Sequence, residues 1–165
     1  MRKLLILGAG TAGTIMANKM RKALSGKDWS VTVVEKELNH YYQPGFLFIP
    51  FGYYQKKNIQ KPTLKFFSKR IEVIKNEIEK IDPVQNRITL IDGTEINYNV
   101  LIIAIGTRIS PKDTPGLKGE LWQKNVFDFY TIEGAEDLSE HVSGILTIGE
   151  FYAHAGGEGS QIIFT

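Results

Sequence analysis

The sequence predicts an α/β fold, a parallel sheet joined to a three-stranded antiparallel β-meander. Three observations carry that prediction. The apolar run at residues 3–7 leads straight into Gly8-Ala9-Gly10-Thr11-Ala12-Gly13 and then into residues at helical spacing. A second apolar run, Val31-Thr32-Val33-Val34, ends at Glu35. Further on, two alternating segments flank Asp92-Gly93 and are followed by the unbroken apolar stretch at 100–105.

The first element is a short buried strand. The glycines after it are spaced G-x-G-x-x-G, and each has a physical task. Gly8 permits the tight turn out of the strand, Gly10 leaves room for a pyrophosphate to approach the backbone, and Gly13 lets helix and strand pack closely. Thr11 and Ala12 then fall in the first turn of the helix, whose free N–H groups and positive dipole end favour an anion. Ile15, Met16, Lys19, Met20, Ala23 and Leu24 fall at helical spacing and are apolar but for Lys19, which predicts one buried face. Glu35 lies 22 residues after Gly13, where a βαβ unit places the carboxylate that accepts from ribose hydroxyls. Together these features predict a dinucleotide site.

Between 41 and 54 the periodicity stops. Tyr41, Tyr42, Phe46, Phe48, Phe51, Tyr53 and Tyr54 crowd in with Pro44, Gly45, Pro50 and Gly52, which break both strand and helix. The expectation is a long ordered loop, with two readings: aromatics lining a flat ring system or its substrate, or aromatics filling a core. Residues 56–70 carry Lys56, Lys57, Lys61, Lys65, Lys69 and Arg70, read as a solvated face of a loop and short helix, or as a membrane-surface contact.

Segments 72–74 and 77–82 read as short strands, the second stopped by Pro83. Residues 87–91 and 95–98 alternate around Asp92-Gly93, a two-residue hairpin signal. The run at 100–105 reads as a strand buried on both faces. Pro111, Pro115 and Gly116 mark a loop, and Thr131 caps a helix carrying Ile132, Ala135, Leu138 and Val142. Gly144 leads into a further strand at 145–149, and the glycine-rich 154–159 has the wrong spacing for a second nucleotide loop. His40, His141 and His154 have no metal-ligand spacing.

Composition narrows the function. Of 165 residues, 42% are hydrophobic and 23% charged, as in ordinary globular proteins. The net charge of +2 offers no argument for nucleic acid. There is no cysteine, which excludes disulfides, thiolate metal sites and dithiol redox chemistry within these residues. No apolar run approaches the ~18 residues of a membrane span. The chain opens directly into a strand, so the expected setting is the reducing cytoplasm.

The motif order resembles the N-terminal part of the two-dinucleotide-binding flavoproteins, the superfamily of pyridine nucleotide-disulfide reductases, type II NADH dehydrogenases and sulfide:quinone oxidoreductases. The resemblance implies a Rossmann-like FAD-binding domain over residues 1–110, a connecting loop and helix over 111–143, and the start of a second, incomplete nucleotide-fold domain over 144–165. In that group the fingerprint and its acid hold the ADP half of FAD. A strand ending in Ala-Thr-Gly passes near the flavin, here Ala104-Ile105-Gly106, with isoleucine replacing the threonine hydroxyl. A meander residue matching Ile78 contacts adenine through its backbone. The segment Tyr41-Tyr42-Gln43-Pro44-Gly45-Phe46-Leu47-Phe48 resembles the post-fingerprint loop of sulfide:quinone oxidoreductases. The implied FAD contacts are therefore Gly8, Gly10, Thr11, Ala12, Gly13, Glu35, Lys36, Gln43, Pro44, Ile78, Ala104, Ile105 and Gly106. The implied partners are a quinone and a small reductant, sulfide or, in the type II alternative, NADH. Peripheral contact with the cytoplasmic membrane face is implied only through C-terminal helices that these residues do not include. Two features depart from the group. Its redox cysteines, one near the position of Tyr130, have no counterpart, and Gly149-Glu150 only faintly matches its later Gly-Asp motif. The resemblance thus implies a truncated FAD-binding portion, inactive alone, or a nucleotide-binding module without turnover.

Overall fold

The computed structural model describes residues 1–145, 153–154 and 161–163. In chain order, β1 (Arg2–Leu7), α1 (Thr11–Ala23), β2 (Trp29–Glu35) and β3 (Asn39–Tyr41) come first. A 3-10 turn at Gln43–Phe48, α2 (Lys56–Ile59) and β4 (Gln60–Pro62) follow, then β5 (Ile71–Lys75), β6 (Ile78–Asp82), β7 (Arg87–Leu90), β8 (Glu95–Asn97) and β9 (Val100–Ile103). The remainder is β10 (Val126–Asp128), α3 (Ile132–Ile145), β11 (Ala153–His154) and β12 (Gln161–Ile163). The chain forms two compact units. Unit 1 is Met1–Tyr41 with Lys61–Thr107, and unit 2 is Tyr42–Gln60 with Arg108–Thr165.

Unit 1 is built on a four-stranded parallel sheet in the order β5-β2-β1-β9. Strand side chains alternate between faces, and here both faces are apolar. Leu4, Ile6, Val31 and Val33 pack against α1 through Met16, Ala17 and Met20. Leu5, Leu7 and Val34 face the other way and pack on Ile88, Leu90, Ile96 and Tyr98 of the meander. Leu5, Ile6 and Leu7 are wholly buried, and each such side chain contributes about 1.5–3 kcal/mol. The double burial explains why β1 is an unbroken apolar run.

The meander is β6-β7-β8, antiparallel throughout, as expected. Its second turn differs in detail. Leu90 donates its N–H to the Thr94 carbonyl, and Gly93 donates to the Leu90 carbonyl at φ +82°. The hairpin therefore closes over three residues, with glycine at the left-handed position, rather than two.

In unit 1 one expected strand finds its sheet and two expectations are corrected. The segment at 72–74 is a strand as expected, β5, and it joins the parallel sheet as an outer strand, in register with β2 through Val33↔Val73. Ile15 does not belong to the buried face of α1: it is 50% exposed, and the buried stripe runs through Gly13, Thr14 and Ala17 instead. The stretch at 100–105 is not buried on both faces. β9 ends at Ile103, occupies the sheet edge, and leaves Val100 and Ile103 exposed.

In unit 2 the aromatic segment forms the 3-10 turn at Gln43–Phe48. Phe46 is buried, whereas Tyr42, Phe48, Phe51, Tyr53 and Tyr54 are exposed, so core filling accounts for only one of these rings. Helix α3 begins where expected and buries Ile132, Ala135, Leu138 and Val142. Its N-terminus is held by Thr131, whose Oγ1 accepts from the Gly134 N–H at 3.0 Å and donates to Asp128 Oδ1 at 3.1 Å. Asp128, 4% exposed, also accepts from the N–H groups of Tyr130 and Thr131. The helix continues through Gly144 to Ile145, so the expected strand cannot begin there; the rest of 145–149 lies outside the described residues, as do 155–159.

Candidate nucleotide site

The site is built on the turn between β1 and α1. Gly8 has φ +94°, a region side chains disfavour, and a Cβ there would overlap the Ala104 carbonyl. Its N–H donates to the Val34 carbonyl at 2.8 Å, and Ala104 N–H donates to the Leu7 carbonyl at 2.7 Å. A Cβ at Gly13 would overlap the Gly8 carbonyl. Both glycines are thus required by the protein's own packing.

Gly10 is different. Its backbone is extended, φ −65° and ψ −169°, and a Cβ there would meet nothing within 4 Å. Neither strain nor a protein neighbour demands glycine at this position. It is the N-cap of α1, which has no side-chain cap and no acid in its first turn. The first helical bond runs from Thr14 N–H to the Gly10 carbonyl. The amides of Thr11, Ala12 and Gly13 precede it and have no acceptor within the helix. This end of α1 fits a diphosphate: open backbone, N–H donors and no acid in the helix's own first turn.

Glu35 closes β2 beside the turn. Its Oε2 accepts from the Ala9 N–H at 2.6 Å and its Oε1 from the Glu37 N–H at 3.1 Å. A carboxylate offers about four lone-pair directions, so acceptor capacity remains. An open cleft of about 440 Å³ adjoins it, lined by Gly8, Glu35, Lys36, Ile78 and Ile105 among others. A register shift between Ile78 and Lys80 interrupts the β6–β7 ladder where β6 lines this cleft. Ile105 is 64% exposed, and Gly106 has φ +78°.

Of the sequence-predicted residues, Gly8, Glu35, Lys36, Ile78 and Ile105 line one cleft. Gly10, Thr11, Ala12 and Gly13 form the adjoining turn. Ala104 backs Gly8, and Gly106 follows Ile105. Gln43 and Pro44 open the 3-10 turn of unit 2. Three residues at the site were not anticipated. Thr14 Oγ1 donates to the Ala9 carbonyl at 2.9 Å, and His40 Nδ1 lies 3.3 Å from the same oxygen. Asn76 donates its N–H to the Glu35 carbonyl and its Nδ2 to Asp92 Oδ2 at 2.7 Å, tying β2 to the meander turn. The one readable sign was a polar residue, Thr14, directly after Gly13 and four positions after Gly10.

The family model for pyridine nucleotide-disulphide oxidoreductase matches residues 2–149. Mitochondrial sulfide:quinone oxidoreductase of Dictyostelium discoideum is 26% identical over 143 residues, which cover 87% of this chain and 31% of that protein. Type II NADH:quinone oxidoreductase of Staphylococcus aureus is 25% identical over 142 residues, 86% of this chain and 34% of that one. The solved sulfide:quinone oxidoreductase of Aquifex aeolicus superposes with a TM-score of 0.74 at 24% identity, over 90% of this chain and 33% of that one. The last likeness establishes the fold. The chain spans about a third of the length of each of these relatives.

Proposed function

Because the chain belongs to the pyridine nucleotide-disulphide oxidoreductase family, we propose that unit 1 holds the ADP half of FAD in a protein that passes electrons from a small reductant to a quinone. The observation that carries this reading is Gly10, a glycine with no steric reason of its own at an uncapped helix start. The amides of Gly10, Thr11, Ala12 and Gly13 receive the pyrophosphate. Glu35 accepts from the ribose hydroxyls with its remaining lone pairs. In this reading Lys36 and Ile78, which line the cleft with Ile105, border the adenosine, and the family resemblance gives the backbone of Ala104, Ile105 and Gly106 to the chain leading to the flavin. The parts given to Gln43 and Pro44 rest on the family resemblance alone. When bound, FAD supplies the electron-transfer chemistry, and the protein supplies placement.

Sulfide as the reductant is supported by the likeness to sulfide:quinone oxidoreductases. A second reading, NADH as the reductant, is supported by the type II NADH:quinone oxidoreductase relatives. The test is equilibrium dialysis of the chain against FAD with ADP as competitor. ADP should displace FAD, and Gly10→Val should abolish binding of both while leaving the thermal transition near that of the wild type. FAD binding undiminished in Gly10→Val would refute the assignment.

A further inference from the structure

Both ends of the Ala9 residue, between the first two glycines, are gripped by side chains. Its N–H donates to Glu35 Oε2 at 2.6 Å. Its carbonyl accepts from Thr14 Oγ1 at 2.9 Å and faces His40 Nδ1 at 3.3 Å. A carbonyl has no proton to give, so Nδ1 carries it in this contact. The His40 ring is backed by Phe66, with centroids 4.7 Å apart. Phe66 is fixed in turn, because its carbonyl accepts from Asn18 Nδ2 of α1 at 2.7 Å. The three side chains on Ala9 come from α1, the end of β2, and β3.

We infer that Thr14 and His40 are positioning residues for the glycine-rich turn, and that Glu35 acts on the same turn through Ala9 as well as on a ribose. The reason is peptide planarity. The Ala9 carbonyl and the Gly10 N–H share one planar trans peptide, so they point in opposite directions. Holding the carbonyl from Thr14 and His40 therefore aims the Gly10 N–H away from them. The Ala9 N–H belongs to the preceding peptide, whose carbonyl is that of Gly8, against which Gly13 packs. Two successive peptide planes are thereby fixed before any ligand arrives, so a bound diphosphate meets donors already oriented.

This inference rests on the nucleotide reading, and its test separates the two. In the ligand-free chain, backbone amide exchange at Ala9 and Gly10 is followed by NMR in Thr14→Val, Thr14→Ser, His40→Phe and His40→Asn. Thr14→Val and His40→Phe each remove a bond to the Ala9 carbonyl and leave the Ala9 N–H on Glu35; the loosened turn should speed exchange at Ala9 by about threefold to tenfold, the equivalent of one ordinary hydrogen bond. Thr14→Ser and His40→Asn keep a donor and should restore protection. Binding of ADP and of 2′,3′-dideoxy-ADP is then compared. Glu35→Ala should weaken both, because the dideoxy nucleotide has no ribose hydroxyl and still needs the oriented turn. Unchanged exchange in Thr14→Val and His40→Phe would overturn the clamp, as would undiminished dideoxy-ADP binding in Glu35→Ala. Failure of ADP to bind the wild-type chain overturns the nucleotide reading instead, and the exchange data then decide the clamp alone.

Discussion

Gly13 lies against the carbonyl of Gly8 so closely that a Cβ on Gly13 would overlap the oxygen. That contact brings α1 down onto the end of β1 and sets the helix phase. It also explains why Ala17, one turn on, is wholly buried while Ile15 faces solvent.

The first prediction follows from it. Gly13→Ala forces backbone apart, and backbone cannot yield as a flexible side chain can. The expected loss is about 1–3 kcal/mol, or roughly 2–4 °C of melting temperature per kcal/mol at this chain length. Gly10→Ala, with open space around it, should cost well under half as much. Thermal melts of the two variants check this, and equal losses would contradict the packing argument.

The second concerns α3. Thr131→Ala removes the acceptor for the Gly134 N–H, a cap worth about 1 kcal/mol. Asp128→Ala should cost more, because the buried carboxylate receives the N–H groups of Tyr130 and Thr131 and the Thr131 hydroxyl. Denaturant midpoints of the two variants should fall in that order.

What the sequence could disclose follows from how local each feature is. The glycine spacing, the strands on either side and Glu35 all express one βαβ unit, so they were legible at short range. The cap at Thr131 was legible for the same reason. The placement of β5 was not, since Ile71–Lys75 joins β2 across forty residues and nothing in its own pattern names a sheet neighbour. Ile15 misled because it adjoins the apolar stripe of Met16, Met20 and Leu24, which does pack on the sheet, while the contact of Gly13 on Gly8 leaves Ile15 toward solvent. The grip on Ala9 was invisible because Thr14, Glu35 and His40 converge on one peptide from separate elements. Gly10 presents the opposite case: the motif points to an open glycine, and the structure gives no internal reason for one.

A third prediction concerns acid. Asp92 is held below the ordinary aspartate range, first by the Thr94 N–H, then by the Thr94 hydroxyl, with Asn76 adding a further donor. A carboxyl depressed in the folded state contributes stability above its unfolded pKa and loses it as pH falls through its folded pKa. The group is fully exposed, so the effect is small. The stability gap between wild type and Asp92→Asn should therefore narrow as pH drops from neutral to about 3. Urea melts across that range check the sign, and a gap that widens would contradict it.

The last prediction is chemical. Sulfide oxidation through a cysteine persulfide requires a thiolate nucleophile and a second thiol to take over the sulfur. These 165 residues contain no cysteine. Tyr130 cannot substitute, since a phenol of pKa about 10 does not undergo thiol–disulfide exchange. The glycine-rich turn, by contrast, depends on contacts within unit 1: the Gly8 N–H on the Val34 carbonyl, Gly13 on Gly8, and Glu35 on Ala9. FAD binding and sulfide turnover should therefore separate in this chain. After incubation with excess FAD and removal of free flavin, an assay with sulfide and a soluble quinone should show no sulfide-dependent quinone reduction, whatever flavin is retained. Robust turnover that does not need cyanide as a sulfur acceptor would defeat the argument and require a route in which sulfide attacks the flavin without a protein thiol.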